Sequence, residues 1–309
     1  MKGKKETLLR KMYQPLDADG FTCTIVNPFG DNEIIWYKVQ DNLILSSWGY
    51  ILTHSSGTMN VLIKPLFCKL ELLKGIMPDI YSNASGYADL ANRYGMTPPS
   101  KYQESAFLHA PGETEGSQMY DFIVNSGRYC VSVYQRCFEE ASDLSSLIGI
   151  SKLLYSKFPT IDSEYNCSTF LRDEVLLSLL YMRRFDEAEQ EIEAAGLREE
   201  AYYHQTMESF EKMYIDYRRK VAIEAPSRTE YFRYQLWHEA DARNWSEQRF
   251  GELPKRRLEF YLNLVRKKDC EGIDGILQMN YEKNVQDLIT LGVLPANTSK
   301  TLLPFANKK

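Results

Sequence analysis

Apolar and polar residues alternate through four short runs between Phe21 and Phe67. A period of two sends successive side chains to opposite faces of a strand, so each run predicts one. The first covers Phe21 to Val26 and ends at Asn27-Pro28-Phe29-Gly30-Asp31-Asn32, where Pro and Gly favour a turn. In the second, Glu33 to Val39, residues Ile35, Tyr37 and Val39 share one face, and Ile34, Trp36 and Lys38 the other. Gln40-Asp41-Asn42 is short enough for a hairpin. The third run, Leu43 to Leu52, carries Ile44, Trp48, Tyr50 and Leu52 on one side. After Ser55-Ser56-Gly57, the fourth alternates Met59, Val61, Ile63 and Phe67 with Asn60 and Lys64. Such brief connections predict an antiparallel meander with one face needing a cover. Pro65 has no N–H to donate, so the last strand ends there or lies at an edge.

The expected cover precedes the strands. Leu8, Met12 and Leu16 recur every four residues beside Leu9 and Tyr13, while Lys4, Lys5, Arg10 and Lys11 fall on the outer side. Pro15 is placed to kink or stop this helix, and Asp19-Gly20 to end it.

The period changes after Phe67. Lys69 to Ile76 and a segment around Tyr87 to Tyr94 read as short helices in a connector. Gln103 to Ala110 fits a fifth strand or an extended arm, and Pro111-Gly112-Glu113 suits a domain boundary. Helical spacing then dominates, in Ser117 to Glu140, Leu144 to Tyr155 and Ser168 to Tyr181. Leu176 to Ala195 resembles the middle of a tetratricopeptide-type hairpin, with Arg183-Arg184 at the turn, Phe185 plugging it and small Ala188 allowing close approach. One such unit cannot build a solenoid, so it belongs to an irregular bundle. Glu199 to Ile223, Thr229 to Asn244, Lys255 to Lys268 and Ile276 to Leu291 continue that bundle. The expected fold class is α+β: a helix and four-stranded meander over 1–111, an all-α domain over 112–295, and a flexible tail over 296–309.

Composition narrows the function classes. The 309 residues carry a net charge of −5, which disfavours a nucleic-acid binder driven by phosphate contacts. No apolar run has membrane-spanning length, and Met1-Lys2-Gly3-Lys4-Lys5-Glu6 precedes no signal-peptide core, so no membrane partner is expected. Six cysteines are scattered without C-x-x-C spacing, which fits reduced thiols in a cytoplasmic protein.

Familiar chemistry is missing. Neither a G-x-x-x-x-G-K-[ST] loop nor a G-x-G-x-x-G after a strand is present. His238-Glu239-Ala240-Asp241-Ala242 places Ala where a zincin helix needs its second histidine. Glu200 and His204 stand four apart, a spacing for an acid–base pair but more often a surface contact. Cys130 and Cys137 would share a helix face, a placement open to a metal or redox role but read more simply as small buried hydrophobes. No cofactor, metal or catalytic residue is assigned. The candidate binding residues are acidic and aromatic: Asp186, Glu187, Glu189 and Glu193 on the hairpin, and Tyr203, Tyr214 and Tyr217 on the helix after it. A solvated face is the plain reading of the carboxylates, and a docking surface for a basic protein the sharper one. Arg218-Arg219-Lys220, Lys255-Arg256-Arg257 and Arg266-Lys267-Lys268 suit RNA or a nucleotide, or more simply ion pairs with nearby Glu.

Leu8-Leu9-Arg10-Lys11 with Pro15-Leu16, the Gly20-Phe21 step, the Trp36 strand and Lys64-Pro65-Leu66-Phe67 resemble a bacterial family known as domain of unknown function family 4304. The likeness covers the first quarter of the chain, and Asn27 to Asn32 departs from the pattern. It implies an α+β domain without established catalytic residues, of a kind associated with toxin–immunity settings. The expectation is a cytoplasmic bacterial protein that binds another protein stoichiometrically, with a basic toxin as the partner. Two alternatives stand beside it. One is an enzyme acting on nucleic acid or nucleotides between the domains, which needs His109, His204 or His238 to meet carboxylates. The other is a phage-defence or regulatory assembly subunit.

Overall fold

A computed structural model describes residues 2–26, 33–51, 57–70, 91–97, 118–156, 172–197 and 252–305. The described residues form a leading helix, a four-stranded antiparallel sheet and further helices, an α+β arrangement. Contacts divide the chain into two units: Met1–Pro159 with Gly275–Lys309, and Thr160–Asp274. The boundary expected at Pro111 lies outside the described residues.

In the first unit, α1 (Lys2–Ala18) buries Leu8, Leu9, Met12, Tyr13 and Leu16, the stripe its spacing predicts. Pro15 is carried inside the helix. The end comes at Gly20, whose φ of 79° suits a residue without Cβ. Phe21 N donates to Leu16 O (3.1 Å) and Gly20 N to Asp17 O (3.3 Å), which occupies carbonyls of the last turn.

The strands β1 (Thr22–Val26), β2 (Glu33–Gln40), β3 (Leu43–Ile51) and β4 (Gly57–Pro65) pair antiparallel in sequence order. Pro65 ends β4, which is an edge strand of the sheet among the described residues. Asp41, with φ 50°, starts the two-residue turn between Gln40 and Leu43. The register aligns Cys23, Trp36, Ser47 and Val61 across the sheet on one face, and Thr24, Ile35 and Trp48 on the other.

Helix α1 covers the Trp36 face. The Tyr13 and Trp36 rings stack at 4.0 Å, and Trp36 Nε1 donates to Asp17 Oδ1 at 2.7 Å. Ser47 Oγ donates to the Tyr13 hydroxyl at 3.1 Å, which gives that buried oxygen a partner. Gly49 leaves room for this packing, since a Cβ there would come within 3.1 Å of both Leu9 and Tyr13.

The sequence predicts a cover for one face; the opposite face is covered as well. Ile35, Tyr37, Ile44, Leu66 and Leu70 form a buried core with Leu288, and Tyr281, Leu291, Val293 and Leu294 pack against it. The reason is visible in β2, where Ile34-Ile35-Trp36-Tyr37 offers no polar face at all. The second cover arrives from the far end of the chain. Asn284 is buried and spans the segment after β4: its Nδ2 donates to Leu66 O (2.6 Å) and Cys68 O (2.7 Å), and its Oδ1 accepts from Leu70 N (3.2 Å). Asn280 Nδ2 adds a bond to Phe67 O at 3.3 Å.

Two more helices complete this unit. α2 (Gln118–Glu140) packs on α1, with Arg128 Nε donating to Lys11 O (3.0 Å) and Gln135 Nε2 to Asp19 Oδ2 (2.5 Å). Gly127 lies against Met12, so close that a Cβ there would fall 2.5 Å from Met12 Cγ. α3 (Leu144–Ser156) opens on a reciprocal cap: Ser146 N donates to Asp143 Oδ1 and Asp143 N to Ser146 Oγ.

The second unit contains the hairpin of α4 (Asp173–Tyr181) and α5 (residues 185–197). Its turn is where the sequence places it. Arg183 takes φ 60°, and Arg184 N donates to Leu179 O at 2.9 Å. Ala188 is fully buried, as close helix approach requires, whereas Phe185 is only half-buried. α6 (Glu252–Lys267) follows, then α7 (Cys270–Thr290), within which the division between units falls. Beyond α7, the tail expected to fray is tied back: Gln278 Nε2 donates to Lys300 O and Leu302 N to Gln278 Oε1, both at 2.8 Å.

Candidate functional site

The acidic hairpin presents its carboxylates at helical spacing. Glu189 and Glu193 are one turn apart on α5 and share Arg266 of α6, at 2.7 Å and 3.0 Å. Glu187 pairs with Arg184 across the turn at 2.5 Å. Asp173, at the start of α4, pairs with Arg257 of α6. Asp186 is exposed. At the turn, Arg183 holds Asp274 through both carboxylate oxygens, at 2.6 and 2.7 Å. Much of this face therefore alternates in sign, and one arginine from each of two predicted basic clusters, Arg257 and Arg266, is paired with these carboxylates. Tyr203, Tyr214 and Tyr217, the other candidate binding residues, lie outside the described residues.

One pair was not anticipated. Arg172, just before α4, meets Glu191 of α5 through Nη2 (2.5 Å) and Nε (3.1 Å), and both side chains are buried. Burying two charges is expensive unless they satisfy one another, so this contact fixes the two helices in a single alignment. Its only sequence signal is Glu191 on the side of α5 that also carries Ala188, Ile192 and Ala195.

A second polar cluster sits in the first unit. Glu140, the last residue of α2, accepts from both Arg93 and the Tyr94 hydroxyl, the latter at 2.7 Å. The Arg93 guanidinium holds the Glu140 carboxyl below the usual carboxylate range, against a smaller opposing effect of burial. Cys137, one turn earlier, is buried, and that burial pushes its thiol up to about 12. A thiol so far from ionisation is a packing element and not a nucleophile.

Large apolar side chains stand in water beside the carboxyl-terminal segment. Met279 of α7 is 65% exposed, Leu303 73% and Phe305 40%. Met279 adjoins Gln278, and Leu303 adjoins Leu302, so the Gln278–Leu302 bond brings the two backbones together. Leu197 and Phe260 are exposed in the second unit.

His54, His109, His204 and His238 all lie outside the described residues, as does Glu200. Among the described residues no group of three or more His, Cys, Asp or Glu is placed to hold a metal, and no helix is long and apolar enough to cross a membrane. No protein-family model matches the chain, and no curated protein or solved structure is similar to it.

Proposed function

We propose that this chain is a cytoplasmic bacterial protein-binding module that works by stoichiometric association, in the way an immunity protein holds its toxin. The observation that carries this reading is the high exposure of Met279 on α7 and of Leu303 and Phe305 on the segment that Gln278 ties to that helix. Exposed apolar side chains on a backbone held in place are common in protein interfaces. The mixed-charge face of Glu187, Glu189 and Glu193 with Arg184 and Arg266 supplies a polar surface that discriminates among partners more than it adds affinity. Free thiols at Cys68, Cys130 and Cys137, all buried, accord with a reducing compartment. The toxin–immunity setting is what the resemblance of the amino-terminal residues to family 4304 would imply, and it forms part of the proposal.

The test is affinity capture from the native host with the full chain and with a Met279→Glu/Leu303→Glu variant of unchanged thermal midpoint. The expected result is one partner in equimolar amount, reduced about tenfold or more by the variant. Repeated capture of no partner, or equal capture by both proteins, refutes the reading.

A further inference from the structure

The chain is acidic overall, at −5, yet one cleft gathers cations. It lies between α1 and α2 and has a volume of about 610 Å³. Thr7, Arg10, Lys11 and Gln14 form its α1 wall, and Asp121, Asn125 and Arg128 its α2 wall. Each set repeats at three and four residues, so each is a single stripe along its helix.

The two guanidiniums are already anchored. Arg128 gives Nε to Lys11 O and Nη2 to Gln14 Oε1, both at 3.0 Å. Arg10 gives Nε to Glu6 at 2.9 Å and Nη1 to the Cys23 sulfur at 3.6 Å. Nη1 of Arg128 and Nη2 of Arg10 have no partner among the described residues. The Lys11 ammonium lies 5.3 Å from the centre of the Tyr120 ring, which holds it by a cation–π contact. Cations fixed in advance lose little side-chain freedom when an anion arrives.

We propose that this cleft is a binding site for a small phosphate monoester bearing hydroxyl groups. The unpartnered guanidinium N–H groups of Arg10 and Arg128, one on each wall, suit the three oxygens of a phosphate better than the two of a carboxylate, while Asp121 in the lining and Glu6 on Arg10 offset part of the positive charge. Asp121 repels a phosphate and accepts from a hydroxyl, so the two ends of the α2 stripe suit different parts of one molecule. Asp121 and Arg128 are seven residues apart on one helix, about 10 Å at the helical rise. That is the span of a sugar phosphate, and the volume falls within the range of small-molecule sites. An extended acidic polypeptide needs a longer basic track than these two turns provide.

The experiment is calorimetric titration of the full chain with glycerol phosphate, inorganic phosphate and a poly-glutamate peptide. Glycerol phosphate is expected to bind more tightly than inorganic phosphate. Arg128→Gln is expected to weaken both about tenfold. Arg128 also bridges the helices, so Arg10→Gln serves as a second variant with the same expectation. Asp121→Asn is expected to tighten inorganic phosphate and to erase the preference for glycerol phosphate, a pair of opposite changes that general destabilisation cannot mimic. Absence of binding by either phosphate at millimolar concentration overturns the proposal, as do unchanged affinities in both arginine variants. Binding of poly-glutamate alone overturns it in favour of an acidic protein partner. None of these outcomes depends on the protein-binding surface around Met279.

Discussion

Replacing Asn284 with Ala removes one small polar side chain that bonds three backbone groups. Leu66 O and Cys68 O lose their donor, and Leu70 N loses its acceptor. All three residues are almost wholly buried, so water reaches these groups only after α7 parts from the sheet. A buried polar group left without a partner costs about 1–3 kcal/mol. Partial relaxation keeps three such terms from adding fully, so we expect a loss of about 3–5 kcal/mol. That is a large share of the 5–15 kcal/mol that typically holds a domain together. Asn280→Ala is the control: it removes one bond of 3.3 Å from a half-buried position, for less than about 1 kcal/mol. Urea unfolding followed by tryptophan fluorescence measures both, because Trp36 is buried against Tyr13 in the same unit. An Asn284→Ala protein within about 1 kcal/mol of the parent would sink the reasoning, as would an Asn280→Ala protein equally destabilised.

Further changes probe other contacts. Arg172→Leu leaves Glu191 charged and buried, so we expect a loss of about 3–5 kcal/mol, largely restored by adding Glu191→Leu; a double-mutant cycle in urea checks this. The Glu140 carboxyl is held below its ordinary value by Arg93, so its contribution is present at neutral pH and is lost as pH falls through its folded-state value. Unfolding midpoints recorded from neutral pH into the acid range should fall more steeply for the parent than for Glu140→Gln. Gly127→Ala forces a Cβ against buried Met12 and should destabilise by about 1–3 kcal/mol, whereas Gly275→Ala meets nothing within 4 Å and should stabilise α7 by about 0.5–1 kcal/mol, both read from thermal midpoints.

The amino-terminal half of the fold was plain in the sequence because its contacts are local. Period-two alternation and short turns determine β1 to β4, and the Leu8, Met12, Leu16 stripe identifies the helix that packs on them. The hairpin of α4 and α5 was legible for the same reason, through its Arg183-Arg184 turn and Ala188. The second cover of the sheet was not. Its signal lies in Ile34-Ile35-Trp36-Tyr37, which is apolar on both faces and so demands two covers, but nothing in those residues says which distant helix provides the second. Asn284 is 218 residues from Leu66, and a lone asparagine on a helix has no pattern to mark it. The candidate carboxylates were legible as residues, and ion pairs between Glu and the basic clusters were among the readings; which arginine meets which carboxylate was not legible, because Arg266 is 77 positions from Glu189. Charge pattern reports neighbours along a helix, not partners brought in by packing.

The two-sided burial of the sheet bears on how the protein is made. A ribosome releases β1 to β4 well before α7, so Ile35, Tyr37 and Ile44 emerge long before Leu288 exists to meet them. In that interval the nascent meander offers a bare oily flank and the free edge of β4 to whatever lies nearby. A chain cut before residue 275 keeps that nascent condition for good. It is expected to collect chaperones or to precipitate, however well its first helix has folded.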